Sequence, residues 1–343
     1  MLSAEPRAFV ETAPAAFHLP PELEAREPAE ARGAGRSDVR LLVSGKRNVH
    51  ALFDQLPQFL APGDVIVLNT SATIPAALQA QRGDGAQILL HFSTQLSEDL
   101  CIVEPRDAPM ESGERLSLPG EGTAELVAAY RNSRRLWYAK LHLPLPFLDY
   151  LARYGRPIRY RHVTREWPLE VYQNVYAREA GSAEMASAGR PFTSALFEQL
   201  QNRGVSIASV VLHAGVASIE WHEPPHEEAF EVSAEAAFAI RCAQRLGGRV
   251  IAVGTTVVRA LESSLDQRGH VTPSRGWTDL VITPNRRLKS VDGVLTGFHE
   301  PNSSHLSMLE AIAGPDRVRQ AYKTALEDGY LWHEFGDSHL IFG

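Results

Sequence analysis

Residues 75–148 of this 343-residue chain contain short strand-like runs and no helical pattern, which constrains the fold more than any other feature. The runs lie between turns rich in Gly, Pro and Asp, at Ile88–Phe92, Asp99–Val103, Arg115–Leu118, Thr123–Val127 and Leu136–Leu143. The last run alternates apolar and polar residues, as a half-buried strand does. Several short strands without intervening helices predict a small β-barrel.

The rest of the chain, residues 1–74 and 149–343, predicts an α/β domain because strand patterns and helix patterns alternate along it. Helices are expected at Asn48–Leu60, Phe192–Gln201, Ala234–Leu246, Ser303–Ala313 and Asp316–Glu327. Strands are expected at Arg40–Val43, Val65–Leu68, Ser206–His213, Arg249–Val253, Leu280–Thr283, Gly293–Thr296 and His339–Phe342. Near the N-terminus, Phe17–Leu23 is expected to dock as an arm and Glu30–Arg36 to be mobile.

The composition excludes several classes of protein. A formal net charge of −7 argues against a broadly basic surface for nucleic acid. Cys101 and Cys242 lack metal-ligand spacing and fit a reduced, cytoplasmic compartment. No apolar run approaches the roughly 18 residues of a membrane span, so no membrane partner is expected. Glu5 and the lack of a basic segment followed by an apolar one argue against a signal peptide. The sequence carries no signal for an oligomeric state.

The segment Arg249–Ser264 predicts a strand, a sharp turn and a helix. Gly254, Thr255 and Thr256 form the turn, and free N–H groups at the start of the helix could bind an anion or a ribose hydroxyl. Thr255, Arg259 and Glu262 share one face of that helix. An ordinary threonine N-cap with a surface Arg–Glu pair explains the same pattern.

Histidines follow two of the predicted strands, at His213 and His299. Ligands in α/β sheets tend to bind beyond the carboxyl ends of the strands. Either histidine alone is readily explained as a structural residue. Two imidazoles and the Gly-Thr-Thr turn at one rim of the sheet favour a ligand site.

The motifs in the sequence, and those it lacks, exclude several standard enzyme classes. His222–His226 reads HEPPH, which matches the zinc-protease pattern, but Pro224 and Pro225 oppose the helix that this chemistry needs. The acidic residues Glu227, Glu228 and Glu231 fit a solvent-exposed face as well as they fit a functional site. The sequence has no Walker A loop, GxGxxG turn, GxSxG elbow or paired CxxC.

The order of motifs along the chain resembles the S-adenosylmethionine:tRNA ribosyltransferase-isomerase family of queuosine biosynthesis. The segments that carry the resemblance include PGDVIVLN at 62–69, YQNVYA at 172–177, AVGTTVVRALE at 252–262 and FHEPNS at 298–303. The resemblance implies an α/β domain, 1–74 and 149–343, interrupted by a β-barrel at 75–148. It also implies S-adenosylmethionine as a substrate that donates its ribosyl group, with no metal or other cofactor.

The implied reaction begins when a base removes a C5′ proton acidified by the sulfonium, the ribose ring opens and adenine leaves. An amine on a modified base of tRNA then attacks C1′, and methionine departs as an epoxycyclopentane forms. Such chemistry needs a base near C5′, hydrogen-bond donors for adenine and ribose, and a shield from water.

The resemblance and the strand-end pattern together nominate the site residues. Candidates for acid, base or other catalytic roles are His213, His299, His226 and Glu228. Candidates for substrate contacts are Gly254, Thr255, Thr256, Arg259, Glu262, Tyr172, Gln173, Tyr176, Phe298, Ser303 and Asp337. Thr255 and Thr256 are expected to hold ribose or carboxylate oxygens, and Arg259 to pair with the methionyl carboxylate or to position Glu262. The tyrosines equally fit core positions.

The chain departs from the family pattern where tRNA and its base would bind. Arginines of the family are Ser71, Ala77 and Leu331 here, a lysine is Asn302 and a histidine is Pro191. Lost basic residues weaken phosphate contacts, so tRNA binding is expected to be weakened while S-adenosylmethionine handling is kept. The alternatives are a relative that uses a small amine or cleaves S-adenosylmethionine directly, a binding protein without turnover and, remotely, a zinc hydrolase.

Overall fold

The computed structural model describes residues 17–216, 226–301 and 303–343. The strands are β1 (Arg40–Ser44), β2 (Asn48–Leu52), β3 (Val65–Asn69), β4 (Ser71–Thr73), β5 (Ala77–Gln81), β6 (Gln87–Gln95), β7 (Leu100–Pro105), β8 (Arg115–Ser117), β9 (Thr123–Ala129), β10 (Trp137–His142), β11 (Glu179–Ser182), β12 (Ser206–Leu212), β13 (Glu228–Val232), β14 (Val250–Val253), β15 (Ser274–Thr278), β16 (Gly293–Gly297) and β17 (Ser338–Phe342). The α-helices are α1 (Phe147–Tyr154), α2 (Ser194–Asn202), α3 (Ala234–Arg245), α4 (Thr255–Ser263), α5 (Ser304–Ala313) and α6 (Pro315–Glu327).

The main sheet has nine strands in the order β15-β13-β12-β3-β14-β16-β17-β1-β2. Its four central strands, β12, β3, β14 and β16, run parallel, so their carboxyl ends meet at one edge. Every residue of β3 and β14 is buried, as expected for central strands covered on both faces. Two apolar cores flank the sheet, and α3, α4, α5 and α6 contribute to one of them.

A second, smaller unit is a closed barrel with the strand order β10-β7-β6-β5-β8-β9. Its strands alternate inward apolar and outward polar residues, as in β10, where Ala139 and Leu141 are buried and Lys140 and His142 are exposed. The barrel strands lie between β4 and α1, so the chain leaves the α/β part and returns to it. The predicted fold class, an α/β domain interrupted by a small β-barrel, is confirmed.

Several predicted elements are wrong, each for a physical reason. Asn48–Leu60 is not a helix, because residues 48–52 pair with β1 and a 3-10 helix, Phe53–Phe59, follows with Pro57 inside it. Leu280–Thr283 is an irregular segment that lies outside every ladder. Glu30–Arg36 is ordered, since Glu30 pairs with Arg190.

β13 and β15, which were not predicted from the sequence, pair at one edge of the sheet. Burial alternates along β13, so Glu228, Phe230 and Val232 face inward while two residues between them are half-exposed. The acidic run is therefore a strand with a buried glutamate rather than a solvated face.

The arm at the N-terminal end of the described residues docks as expected. The ring of Phe17 lies 5.5 Å from that of Tyr322 and 6.2 Å from that of Trp332. None of the helices among the described residues has the length and apolar character needed to cross a membrane.

Candidate active site

A cavity of about 260 Å³ lies at the carboxyl edge of the parallel strands. It opens beside β14 and β16 and is closed on other sides by the start of α5 and by residues 184–188 and 280–282. Eight of the residues nominated from the sequence line it: His226, Glu228, Gly254, Thr255, Thr256, Arg259, His299 and Ser303. The Gly-Thr-Thr turn and the strand-end imidazole of His299 thus lie at one cavity.

The turn between β14 and α4 depends on glycine. Gly254 has φ 91° and ψ 154°, a region of backbone angles that residues other than glycine scarcely adopt. It is the N-cap of α4, and no side chain of the described residues caps the first turn of the helix. The alternative of an ordinary threonine N-cap is therefore wrong. Open backbone N–H groups and the positive end of the helix dipole face the cavity and suit a carboxylate or a ribose oxygen.

Arg259 and Glu228 form a buried ion pair in the cavity wall. The guanidinium also donates to the carbonyl oxygens of Leu280 (3.1 Å) and Thr278 (3.1 Å). The other carboxylate oxygen of Glu228 accepts a bond from the amide of Gly215 at 2.9 Å. Arg259 thus positions Glu228 rather than Glu262, and its donors bind the protein instead of standing open for a methionyl carboxylate.

Two stacked imidazoles form another part of the wall. The rings of His299 and His305 lie 4.5 Å apart with an angle of 15° between their planes. His299 shares a 2.8 Å hydrogen bond between Nε2 and the hydroxyl of Thr296, at the end of β16. Burial, and next the neighbouring His305, holds the pKa of His299 well below its ordinary value. Burial, and then Arg259, lowers the pKa of His305 to about 4. Both rings are therefore neutral at pH 7.

The barrel contacts two residues of the cavity lining, His226 and Val216, through Ser93 on β6. The Ser93 hydroxyl and His226 Nε2 are 3.0 Å apart, and the hydroxyl also accepts a 2.9 Å bond from the Val216 amide. A Cβ at Gly215 would lie 1.8 Å from His226 Nε2, so only glycine fits between these groups. The α/β domain and the barrel thus build this side of the site together.

Ser303 differs from the other lining residues because its hydroxyl is buried without a hydrogen-bond partner among the described residues. It is the N-cap residue of α5, yet its side chain makes no cap bond. A buried hydroxyl normally has a partner, so a ligand atom in the cavity would satisfy it.

Seven of the residues expected at the site lie outside the lining of this cavity: His213, Glu262, Tyr172, Gln173, Tyr176, Phe298 and Asp337. His213 Nδ1 instead bonds the hydroxyl of Ser71 at 2.7 Å. Glu262 is buried and accepts from the amides of Lys289 (2.8 Å) and Ser290 (3.0 Å), so it anchors a loop.

The other five residues outside the lining also have structural partners in the protein. Tyr172 and Phe298 are core residues, each 2 % exposed, and Tyr176 packs on the rings of Phe192 and Phe197. Gln173 binds both backbone groups of Thr73, at 3.0 and 2.7 Å. Asp337 accepts from the amides of Arg40 and Leu331, each at 2.8 Å.

Some lining residues were not nominated from the sequence: Tyr160, Glu184, Ser187, Thr296, Glu300, His305 and Glu334. The one with a sequence signal is His305, which follows the FHEPNS segment on the first turn of a predicted helix. Most of the HEPPH segment, with Pro224 and Pro225, lies outside the described residues, as does Asn302.

The charge of the lining is unbalanced. Carboxylates of Glu184, Glu228, Glu300 and Glu334 border the cavity, whereas Arg259 is the one Lys or Arg side chain in the described lining and is paired. Such a lining attracts a cation and leaves little unpaired positive charge for phosphate.

Comparison with known proteins gives the class to which this fold and cavity belong. A family model described as "Queuosine biosynthesis protein" matches residues 13–341. An S-adenosylmethionine:tRNA ribosyltransferase-isomerase of Symbiobacterium thermophilum is 38% identical over 339 residues, which cover 95% of this chain and 98% of the relative. One of Caldanaerobacter subterraneus is 36% identical over 340 residues with the same coverage.

A solved structure of S-adenosylmethionine tRNA ribosyltransferase from Thermotoga maritima matches with a TM-score of 0.54 and 31% identity. The match covers 95% of this chain and 99% of that one. The chain belongs to the queuosine biosynthesis family, an enzyme family whose named relatives are ribosyltransferase-isomerases.

Proposed function

We propose that the cavity binds S-adenosylmethionine and that the protein uses it as a ribosyl donor, in line with the names of its relatives, and that adenine and methionine are released. The observation that carries the proposal is the convergence of an uncapped helix N-terminus and two neutral imidazoles on one acidic cavity. Its volume, about 260 Å³, lies near the lower end for small-molecule sites.

Charge complementarity supports S-adenosylmethionine as the ligand. Its sulfonium and its α-amino group are cations, and four carboxylates border the cavity. Its carboxylate, or its ribose hydroxyls, can bind the open N–H groups at Thr255 and Thr256. Arg259 serves indirectly, because its ion pair fixes the Glu228 carboxylate in the wall.

His299 is our candidate for the base that takes the C5′ proton, and His305 for the group that orients it. A neutral imidazole accepts a proton directly, and burial keeps both rings neutral at pH 7. The hydrogen bond from His299 to Thr296 fixes the ring at the end of β16. The alternative role, protonation of the departing adenine, uses the same imidazole after it has gained the proton.

The acceptor is, in this proposal, an amine. One candidate is an aminomethyl base in tRNA, in line with the names of the relatives. A small free amine is the second candidate, and a specific observation favours it: the positions where arginine was expected hold Ser71, Ala77 and Leu331. Ser71 and Ala77 are buried, so neither presents a phosphate contact.

The test is incubation with S-adenosylmethionine labelled in its ribose, followed by chromatography for adenine and methionine. Label in the nuclease digest of undermodified tRNA supports the tRNA acceptor, and label in a small product supports the second. Failure to release adenine with any acceptor would overturn the catalytic proposal, and calorimetric binding without turnover would identify a binding protein. His299→Gln should abolish release, whereas His142→Gln, an exposed histidine of the barrel, should not.

A further inference from the structure

The geometry points to a Zn²⁺ site formed by His162, His333 and Glu334, at the wall of the cavity. One ligand atom from each residue lies within 4.8 Å of those of the other two. Glu334 is also one of the four carboxylates that border the cavity, whereas none of the three residues has been given a catalytic role.

The three side chains come from distant parts of the chain. His162 lies in the segment after α1, and the other two lie in the turn between α6 and β17. His162 Nε2 is 2.9 Å from a carboxylate oxygen of Glu334, and the two imidazole rings stack at 4.1 Å. No spacing motif announces such a set, so the expectation of no metal could not take it into account.

The polar atoms of this cluster are buried and poorly satisfied. Nε2 of His162, Nε2 of His333 and Oε2 of Glu334 have no hydrogen-bond partner among the described residues. The first and the last are close together, yet they are not aligned as donor and acceptor. Buried polar groups without partners are rare, so three that converge require an explanation. A cation between them would satisfy all three.

The backbone at His333 supplies a second, independent observation. Its φ of +72° lies in the left-handed region, where residues other than glycine are uncommon and Asn, Asp and His are the most frequent of them. A residue held there carries strain of about 1–3 kcal/mol, and such residues cluster at functional sites. The strained turn directs the His333 ring against that of His162.

Two imidazoles and one carboxylate are a donor set that zinc prefers, at about 2.0–2.2 Å from each ligand atom. Glu24 is the nearest further carboxylate, with one oxygen 3.5 Å from His333 Nε2, and can complete a tetrahedron. Tyr160, which lines the cavity, lies beside the ring of His162. The ion would therefore tie the segment after α1 to the turn before β17 and fix this wall.

The test is the zinc content of the full-length protein, produced without a polyhistidine tag and measured by mass spectrometry. We expect about one Zn²⁺ per chain, and the visible absorption of four-coordinate Co²⁺ after exchange. His162→Gln, His333→Asn and Glu334→Gln should each lower the affinity of the chelator-treated protein for Zn²⁺ at least about tenfold, measured by calorimetry. His333→Asn keeps a residue that tolerates positive φ, and His142→Gln on the barrel is the control.

Zinc-free protein that also fails to bind added Zn²⁺ would overturn the inference, as would variants that bind like the wild type. If a variant fails to fold, the melting temperature of the wild-type protein, measured with Zn²⁺ and with a chelator, provides the test of the site. Zn²⁺ should raise it and a chelator should lower it, whereas the same temperature in both buffers would contradict the site. These readouts do not involve S-adenosylmethionine, so they are separate from the test of the proposed function.

Discussion

Arg259 on α4 and Glu228 on β13 are bound to each other in the cavity wall, and each is less than a tenth exposed. Glu228 also accepts a hydrogen bond from a backbone amide, and Arg259 donates to two backbone carbonyl oxygens. A pair that is desolvated and fully bonded in this way is costly to break from one side, because the remaining charge stays buried.

Glu228→Gln should therefore destabilise the protein by about 3–5 kcal/mol and reduce adenine release, because it leaves the Arg259 charge buried and unpaired. Urea unfolding and the release assay measure the two effects. The control is Glu231→Gln on the same strand, whose partner Arg275 is 85% exposed, with an expected cost of about 0–1 kcal/mol. Equal losses in both variants would contradict the role of the buried pair. The double variant Arg259→Met/Glu228→Met should recover much of the stability.

Stability should fall as the pH decreases from about 6.5 towards 4, because buried histidines stay neutral in the folded protein. Burial lowers the pKa of His305 to about 4 and that of His339 to about 3. Below their ordinary pKa of about 6.5, the unfolded chain binds protons that the folded chain does not, at roughly 1 kcal/mol per pH unit for each group. Urea unfolding at several pH values measures the slope.

His339→Met identifies the source of that slope. His339 is fully buried against Ser44, and the substitution removes one titrating group. The free energy of unfolding should then depend less steeply on pH between 6.5 and 4 by about one proton. A variant with the wild-type slope would rule out His339 as a contributor.

Gly254→Ala should lower both stability and S-adenosylmethionine affinity. Its φ of 91° and ψ of 154° cost a non-glycine residue about 1–3 kcal/mol, and relief of the strain would turn the first N–H groups of α4. Gly314→Ala is the matched control, since Gly314 precedes α6 with φ 84° and ψ 151°. Calorimetry should show weaker binding for Gly254→Ala alone. Unchanged affinity in that variant would argue against the helix N-terminus as a ligand site.

Ser93→Ala tests whether the barrel supports the cavity. The change leaves the Val216 amide and His226 without their shared partner, at a cost of about 1–3 kcal/mol. We expect a higher KM for S-adenosylmethionine from steady-state adenine release. Ser117→Ala, at an exposed position of another barrel strand, should leave KM unchanged. A wild-type KM in Ser93→Ala would show that the barrel contact is dispensable.

The sequence predicted best those parts whose signal is local. The buried run before Gly254 and the helical spacing after it predict β14 and α4 to within a few residues. Short strands between turn residues likewise predict the barrel. Asn48–Leu60 failed although the partner strand is close in the sequence, because residues 48–52 fold back on β1 as a hairpin and the apolar spacing of the following residues belongs to a 3-10 helix with Pro57 inside it.

The candidate site was predicted only in part, because its contacts join residues that are distant in the sequence. Gly254 and His299 were found because each follows a recognisable strand. Glu228 joins Arg259 only because β13 folds back along β12, and His305 meets His299 only when α5 packs behind β16. For aromatic residues such as Tyr172 and Phe298, a match to the family pattern does not distinguish a ligand contact from a core position. The structure places both residues in the core.

Glu262 closes the AVGTTVVRALE segment, yet its carboxylate binds the backbone at Lys289 and Ser290 and is not among the described residues that line the candidate cavity. The need to fold the loop at Lys289 and Ser290 is therefore sufficient to explain why the motif contains this glutamate. A related protein without catalytic activity would be expected to keep this glutamate. A search for the AVGTTVVRALE motif therefore identifies proteins that share the fold, and enzymes must be identified by the residues that line the cavity.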